Sequence, residues 1–350
     1  MIDVIKVVVP SVLTFLFGIL ITPFFADIFY KHKLWKKSPR TESGMTTDDF
    51  AKVHNTESEL STPRIGGVVI WVSVLITVFV IYLLSLIVPS DLTEKLNFFS
   101  RSQTLIPIAT LILASLIGLA DDLLQIFGKG SYARDPLVYR KIKIISVSLI
   151  GLAIAFWFYD KLQLTSVHIP FGGEFELGLW FIPFFIFVML GVFSTSVVDG
   201  MDGLSGGIMS IIFLAYAVIA FVHQQIDISA LCAVIAGGTL AFLWFNIPPA
   251  RFYMGETGMV GLTVTLSVIA FLTKSVLILP IIAIPLVATS LSVIIQIVSY
   301  KYFGKRRVFK VAPLHHHFEA LGWSRAKVVM RYWIISVVFA MVGVILALIS

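Results

Sequence analysis

Ten stretches of the chain are nearly unbroken runs of apolar residues, separated by short polar segments. A helix needs roughly 20 apolar residues to cross the hydrocarbon core of a bilayer. On that rule the spans fall at about 7–30, 64–88, 105–124, 142–159, 179–198, 204–222, 230–245, 258–272, 276–300 and 328–349. The pattern predicts an all-α polytopic membrane protein forming a single integral domain over residues 1–350, with an even number of spans and both termini on one side. Between spans, 165–177 alternates around Gly172-Gly173 and predicts a small β-hairpin. Residues 90–99 suit a short interfacial helix. The segment 31–61 is polar and rich in Ser, Thr and charge, as expected of a mobile loop, and 301–327 forms a basic, histidine-bearing loop.

Composition agrees with this picture: 58% of the 350 residues are hydrophobic and 13% charged, which excludes an ordinary soluble globule. Met1 to Pro10 carries one lysine and no small-residue cleavage site, so the first run is expected to be a retained span. Cys232 is the only cysteine, so no intramolecular disulfide forms. Charge then sets orientation. The segments 31–64, 123–143, 246–257 and 301–331 hold 21 of the 26 Lys and Arg residues, which predicts that they are cytoplasmic and that both termini lie outside. The net charge of +6 is assigned to loops facing anionic membrane lipid, and no nucleic acid partner is expected.

Ionisable groups cluster where spans stop, on the predicted cytoplasmic side. Charge next to hydrocarbon is costly, and its recurrence there marks a functional site. Asp121-Asp122 ends the third span after Gly118-Leu119-Ala120. Paired carboxylates offer hard oxygen ligands for Mg²⁺ and, through it, a diphosphate; the alternative is a solvated helix end, although acids there oppose the helix dipole. In Asp199-Gly200-Met201-Asp202-Gly203-Leu204-Ser205-Gly206-Gly207 two acids sit three residues apart among glycines. They could share a helical face at a ligand or cap the next helix, but capping accounts for one acid only. The inner loop around Asn246, Pro248-Pro249, Arg251, Tyr253 and Glu256 combines an amide, a guanidinium, an aromatic ring and a carboxylate, a set suited to a nucleotide; aromatic anchoring with a Pro-Pro turn is the alternative. His315, His316 and His317 follow Pro313 in the most basic loop. Consecutive helical residues cannot all face one ion, so phosphate or sugar contact by one or two of them is expected.

Taken together, these motifs resemble the polyprenyl-phosphate N-acetylhexosamine-1-phosphate transferase superfamily. The matching stretches are Thr62-Pro63-Arg64-Ile65-Gly66-Gly67, Asp121-Asp122, Asp199 to Leu204, Phe242 to Asn246, Met254-Gly255-Glu256-Thr257-Gly258, Leu291 to Gln296, Ala312 to Trp323, and Arg331 to Ser336. The triple-histidine element with its Phe-Glu and Gly-Trp followers points to the branch that moves phospho-N-acetylmuramoyl-pentapeptide from UDP to undecaprenyl phosphate, releasing UMP. The resemblance implies ten helices in the bacterial cytoplasmic membrane, a cytoplasmic site, a homodimer and a requirement for Mg²⁺. It assigns Asp121 and Asp122 to activation of the lipid phosphate and organisation of the metal, with Glu256 and Asp122 as metal ligands. Asp202, Asn246 and Tyr253 would line the uridine pocket. Asp199, Gln296, Lys143 and His315, His316 or His317 would surround ribose, phosphates or sugar.

The chain also departs from the pattern: Glu256 stands where the family has Asp, Phe193 and Ser196 where it has asparagines, and Gln125 where it has lysine. The competing readings are a sister transferase using another UDP-N-acetylhexosamine, against which the histidine element argues, and a catalytically weakened nucleotide- or lipid-binding homologue. A transporter fits less well, because few charges lie in mid-span.

Overall fold

The computed structural model describes residues 2–35, 60–99, 103–128 and 136–350. Most of the expected mobile loop 31–61 lies outside the described residues. In chain order the helices are α1 (Ile2–Lys31), α2 (Val68–Ile87), α3 (Asp91–Leu96), α4 (Leu105–Phe127) and α5 (Pro136–Lys161). Strands β1 (Ser166–Ile169) and β2 (Gly173–Glu176) follow, then α6 (Phe181–Phe193), flanked by 3₁₀ turns at Gly178–Trp180 and Ser194–Val198. The rest are α7 (Leu204–Val222), α8 (Ile226–Asn246), α9 (Gly255–Leu272), α10 (Leu279–Ile282), α11 (Ile284–Tyr302), α12 (Leu314–Ala320) and α13 (Arg325–Ile349). Among the described residues ten of these segments are long and apolar enough to cross a membrane, in the order the hydropathy pattern predicts.

Two boundaries moved for identifiable reasons. Residues 64–67 are not helical, because the backbone there bonds elsewhere: Gly66 and Gly67 donate their N–H groups to the carbonyls of Tyr253 and Met254, both at 2.9 Å. The ninth apolar run is split. Pro280 and Pro285 each lie in the first turn of a helix, where their missing N–H costs nothing, so α10 and α11 meet at Ala283 instead of forming one rod. The hairpin is antiparallel, with Val167 opposite Phe175, and α3 starts from a Ser90–Thr93 capping box.

Helices α7, α8 and α9 are the most deeply buried spans, while α1 and α13 turn most of their surface outward. Lipid supplies no hydrophobic drive for helix association, so close packing through small residues has to hold such a bundle together. The α4–α9 contact shows this. A Cβ on Gly118 would collide with the backbone of Glu256 and Thr257, and one on Gly261 with Ser115. Thr257 Oγ donates across the seam to the Ser115 carbonyl at 3.0 Å and accepts from Trp71 Nε1 at 3.3 Å. That close approach brings the C-terminal end of α4, with its two acids, against the N-terminus of α9.

The hairpin lies at the other end of α9, about 27 Å away for an 18-residue helix. Glu174 accepts from Lys274 Nζ at 2.9 Å and Ser166 Oγ at 2.7 Å, and these bonds hold its carboxyl below the usual glutamate range.

Gly118→Val should wedge α4 from α9 and lower stability by ~1–3 kcal/mol, read as a lower thermal midpoint in detergent. Gly191→Val, at a site with open space around it, should leave the midpoint nearly unchanged.

Candidate active site

The N-terminus of α9 has four backbone N–H groups without helical partners. Two carboxylates from distant parts of the chain each take up one of them. Asp122 Oδ2 accepts from Thr257 N at 2.9 Å, and Asp199 Oδ2 accepts from Gly255 N at 3.1 Å. Gly255 has φ +70°, and a side chain there would strike the Arg64 carbonyl and the Asp122 carboxylate. Only glycine lets the chain turn into α9 at this point.

Glu256, the next residue, projects sideways to Lys143. Lys143 Nζ lies 2.7 Å from Glu256 Oε1 and 3.2 Å from Asp121 Oδ2, so one ammonium joins an acid of α4 to an acid of α9. Gln125, one turn after Asp121, donates its Nε2 to Asp121 Oδ2 at 2.9 Å. Asp121 and Asp122 are each 2% exposed. Like charges this close need compensation, and it comes from Lys143 and from Arg64, whose charge acts on both Asp122 and Asp199. Burial pushes the Asp199 carboxyl above the usual aspartate range, although the Ser205 hydroxyl at 2.8 Å, Arg64 and the Gly255 N–H all favour its ionised form.

The acids of the 199–202 turn therefore do not cap α7, whose N-cap Gly203 has no side-chain bond. Asp199 serves α9 instead. Asp202 accepts from Ala250 N at 3.2 Å. Asn246, 1% exposed, accepts from Gly203 N and donates to the Phe252 carbonyl, both at 2.9 Å, so it ties the 199–203 turn to the 248–253 loop. Tyr253 joins the frame through its backbone, donating to the Pro63 carbonyl at 2.8 Å. Gln296 is committed in the same way: its Oε1 accepts from Val308 and Phe309 N–H and its Nε2 donates to the Phe309 carbonyl.

The histidines divide. His315 and His316 are buried, their rings 4.4 Å apart, and both present Nε2 toward Gly200, where a Cβ would lie 3.2 Å from His316 Nε2 and closer still to His315. His317 turns away, packing edge-on against Phe309 at 5.4 Å and accepting from Lys310 N at 3.2 Å. Burial and the Lys310 charge keep it below the usual histidine range. A helix of seven residues cannot aim three successive side chains at one point. Among the described residues no three His, Cys, Asp or Glu side chains converge as a ready-made metal cage.

Sequence reasoning gave no role to Arg64, Ser205, Thr257 or Glu319. Arg64 was visible only as part of the Thr62–Gly67 match, and Glu319 only as the follower of the histidines. Nothing in the local pattern shows which acid each would meet.

Ten membrane-length helices with a buried cluster of acids and cations at one end of the bundle define a multi-pass membrane protein with a charged site. A family model described as glycosyl transferase family 4 matches residues 104–274, which include all five acids and stop short of the histidine helix. Relatives named phospho-N-acetylmuramoyl-pentapeptide-transferase match nearly end to end. One from Chloroflexus aggregans is 32% identical over 99% of this chain and 91% of its own length. One from Bacillus mycoides is 33% identical over 94% of each. Another, from Chloroflexus aurantiacus, is 35% identical over 83% of this chain and 78% of its own. The chain belongs to the phospho-N-acetylmuramoyl-pentapeptide-transferase family and is a phospho-sugar transferase.

Two variants probe the cluster. Asp199→Asn keeps an acceptor for Gly255 N and offers an amide N–H where Asp199 accepts from Ser205, whose hydroxyl can rotate to accept, while removing a buried charge. Because the folded-state pKa of Asp199 is raised, ionisation costs stability as pH rises through that value. The Asn variant should therefore melt above the parent at neutral pH, with the gap closing as pH falls toward the ordinary aspartate range. Lys143→Met should destabilise by ~3 kcal/mol by leaving Asp121 and Glu256 unneutralised, and Lys143→Arg should recover part of the loss in a denaturation series.

Proposed function

We propose that the protein transfers phospho-N-acetylmuramoyl-pentapeptide from UDP to undecaprenyl phosphate, forming the first lipid intermediate of peptidoglycan synthesis and releasing UMP. The observation that carries this reading is the meeting of Asp121, Asp122, Lys143, Asp199 and Glu256 at one helix N-terminus, beside the turn that His315 and His316 face. The names of the relatives support the substrates.

Mg²⁺ is the proposed cofactor. Mg²⁺ is commonly held by one or two carboxylates plus substrate phosphates, with no full protein cage, and the acids here are of that kind. Lys143 already places a positive charge between Asp121 and Glu256, so the donor set fits a cation at this point. Glu256 and Asp122 are the proposed ligands. When bound, the ion would supply charge stabilisation to the diphosphate oxygens.

The chain's own residues then do the following. A phosphate monoester is largely ionised near neutral pH, so the lipid phosphate can attack the sugar-linked phosphorus without first losing a proton. Asp121 orients Lys143, whose ammonium, with Arg64, offsets charge on the phosphates. Asp202 and Tyr253 line the uridine side, and Asn246 fixes the two loops that carry them. Gln296 holds the 308–309 segment so that His315 and His316 reach the sugar-phosphate side, while His317 braces the loop.

The same charge bias that orients the loops supports a cytoplasmic site and external termini in the bacterial cytoplasmic membrane. The capped helix α3 is proposed to lie at the outer interface, and the working form is proposed to be a homodimer.

The deciding assay measures UMP release by purified protein from undecaprenyl phosphate with either UDP-N-acetylmuramoyl-pentapeptide or UDP-N-acetylglucosamine. Release with the first only is expected, and release with the second only would overturn the assignment. Glu256→Gln should raise the Mg²⁺ concentration needed for half-maximal rate by roughly 10–100-fold. Unchanged Mg²⁺ dependence would remove Glu256 from the ligand set.

A further inference from the structure

The carboxylate of Glu319 is bonded at both oxygens. Oε2 lies 3.1 Å from His316 Nδ1, and Oε1 accepts from Arg325 Nε at 2.6 Å. Its side chain is only 13% exposed. Burial alone would favour the neutral acid, but the bonds from His316 and Arg325 outweigh it and hold the carboxyl below the usual glutamate range. An ionised carboxylate only accepts hydrogen bonds. The proton on His316 must then sit on Nδ1, which leaves Nε2, the nitrogen turned toward Gly200, as the acceptor when the ring is neutral.

The surroundings make this geometry rigid. Leu314 N donates to Ser292 Oγ at 2.9 Å, which anchors the start of α12 to α11. Phe318 stacks on Trp323 at 4.8 Å and 15°, and Arg331 lies 4.1 Å over the Trp323 ring, which locks the end of α12 to the first turns of α13. Ser324 caps α13, and Arg325 is its first helical residue. Arg325 is thus carried on a different helix from the histidine and reaches Glu319 from the opposite side. A bond serving only to stiffen α12 would not need a second, charged partner from another element.

We propose that Glu319, clamped by Arg325, is a positioning residue that fixes the tautomer of His316 and turns Nε2 toward the sugar-phosphate of the donor substrate. The proposal rests on the transferase reading for the identity of that substrate. The tautomer itself is independent of it.

The test uses full-length protein in lipid nanodiscs with ¹⁵N-labelled histidine, His316 being assigned by the signal lost in His316→Asn. Neutral His316 in the unaltered protein is expected to carry its proton on Nδ1. Glu319→Gln, which can donate as well as accept, should shift it to a mixture or to the Nε2–H form and lower kcat/KM for the UDP-sugar roughly tenfold. Glu319→Asp should restore part of both, and Arg325→Gln should fall between. An Nε2–H signature in the unaltered protein overturns the proposal, as does a Gln variant with the tautomer changed and kcat/KM unchanged, or with neither changed. If Glu319→Gln does not fold, the spectra of the unaltered protein and Arg325→Gln decide the matter. Absence of turnover by the unaltered protein with either UDP-sugar would count against the transferase reading alone, since the spectra still report the tautomer.

Discussion

The architecture turns on the first turn of one helix. α9 begins inside the bundle, where water cannot satisfy its leading N–H groups, and an unpaired buried donor costs roughly 1–3 kcal/mol. Asp122 and Asp199 meet that need with their carboxylates. Each acid thereby gains hydrogen bonds and a favourable helix dipole. Arg64 lends its positive charge to both of them, while Lys143 serves the neighbouring acids Asp121 and Glu256. The acid cluster and the helix start are one arrangement.

That coupling explains why the site can be stiff despite being built from loops. Asn246 and Gln296 spend their polar atoms on backbone groups of another segment, and Asp199 spends one of its oxygens in the same way. Each bond removes freedom from a turn that carries a chemical group, and each is buried enough to be held in place. Close packing of glycine seams does the same for the helices: Gly118 sets how near α4 comes to α9, and hence where Asp121 stands relative to Glu256.

The ten spans, the hairpin and the short helix near residues 91–96 were all legible in the sequence, because each depends on a local property: apolar length, alternation around a Gly pair, or short amphipathic character. The positions of the acids at span ends were legible for the same reason. Pairings across the bundle were not. Lys143 stands near the start of the predicted fourth span, and nothing local shows that α5 begins earlier and carries it inward, to 8% exposure, against residues 22 and 113 positions away. The division of the histidines was only half visible: helical geometry says that three neighbours cannot converge, but it does not say which one turns away.

Glu256 shows how such through-space facts bear on chemistry. A glutamate has one methylene more than an aspartate, and here its carboxylate lies 2.7 Å from Lys143 Nζ while its own backbone stays in the first turn of α9. Gln125, on the far side of Asp121, supplies a neutral donor where a cation would add charge. A single ammonium is thus shared between Asp121 and Glu256, while Arg64 lends its charge to Asp122 and Asp199. Glu256 is therefore positioned by its ion pair with Lys143 as much as by the turn of α9 that carries it, and neither partner is close to the other in sequence.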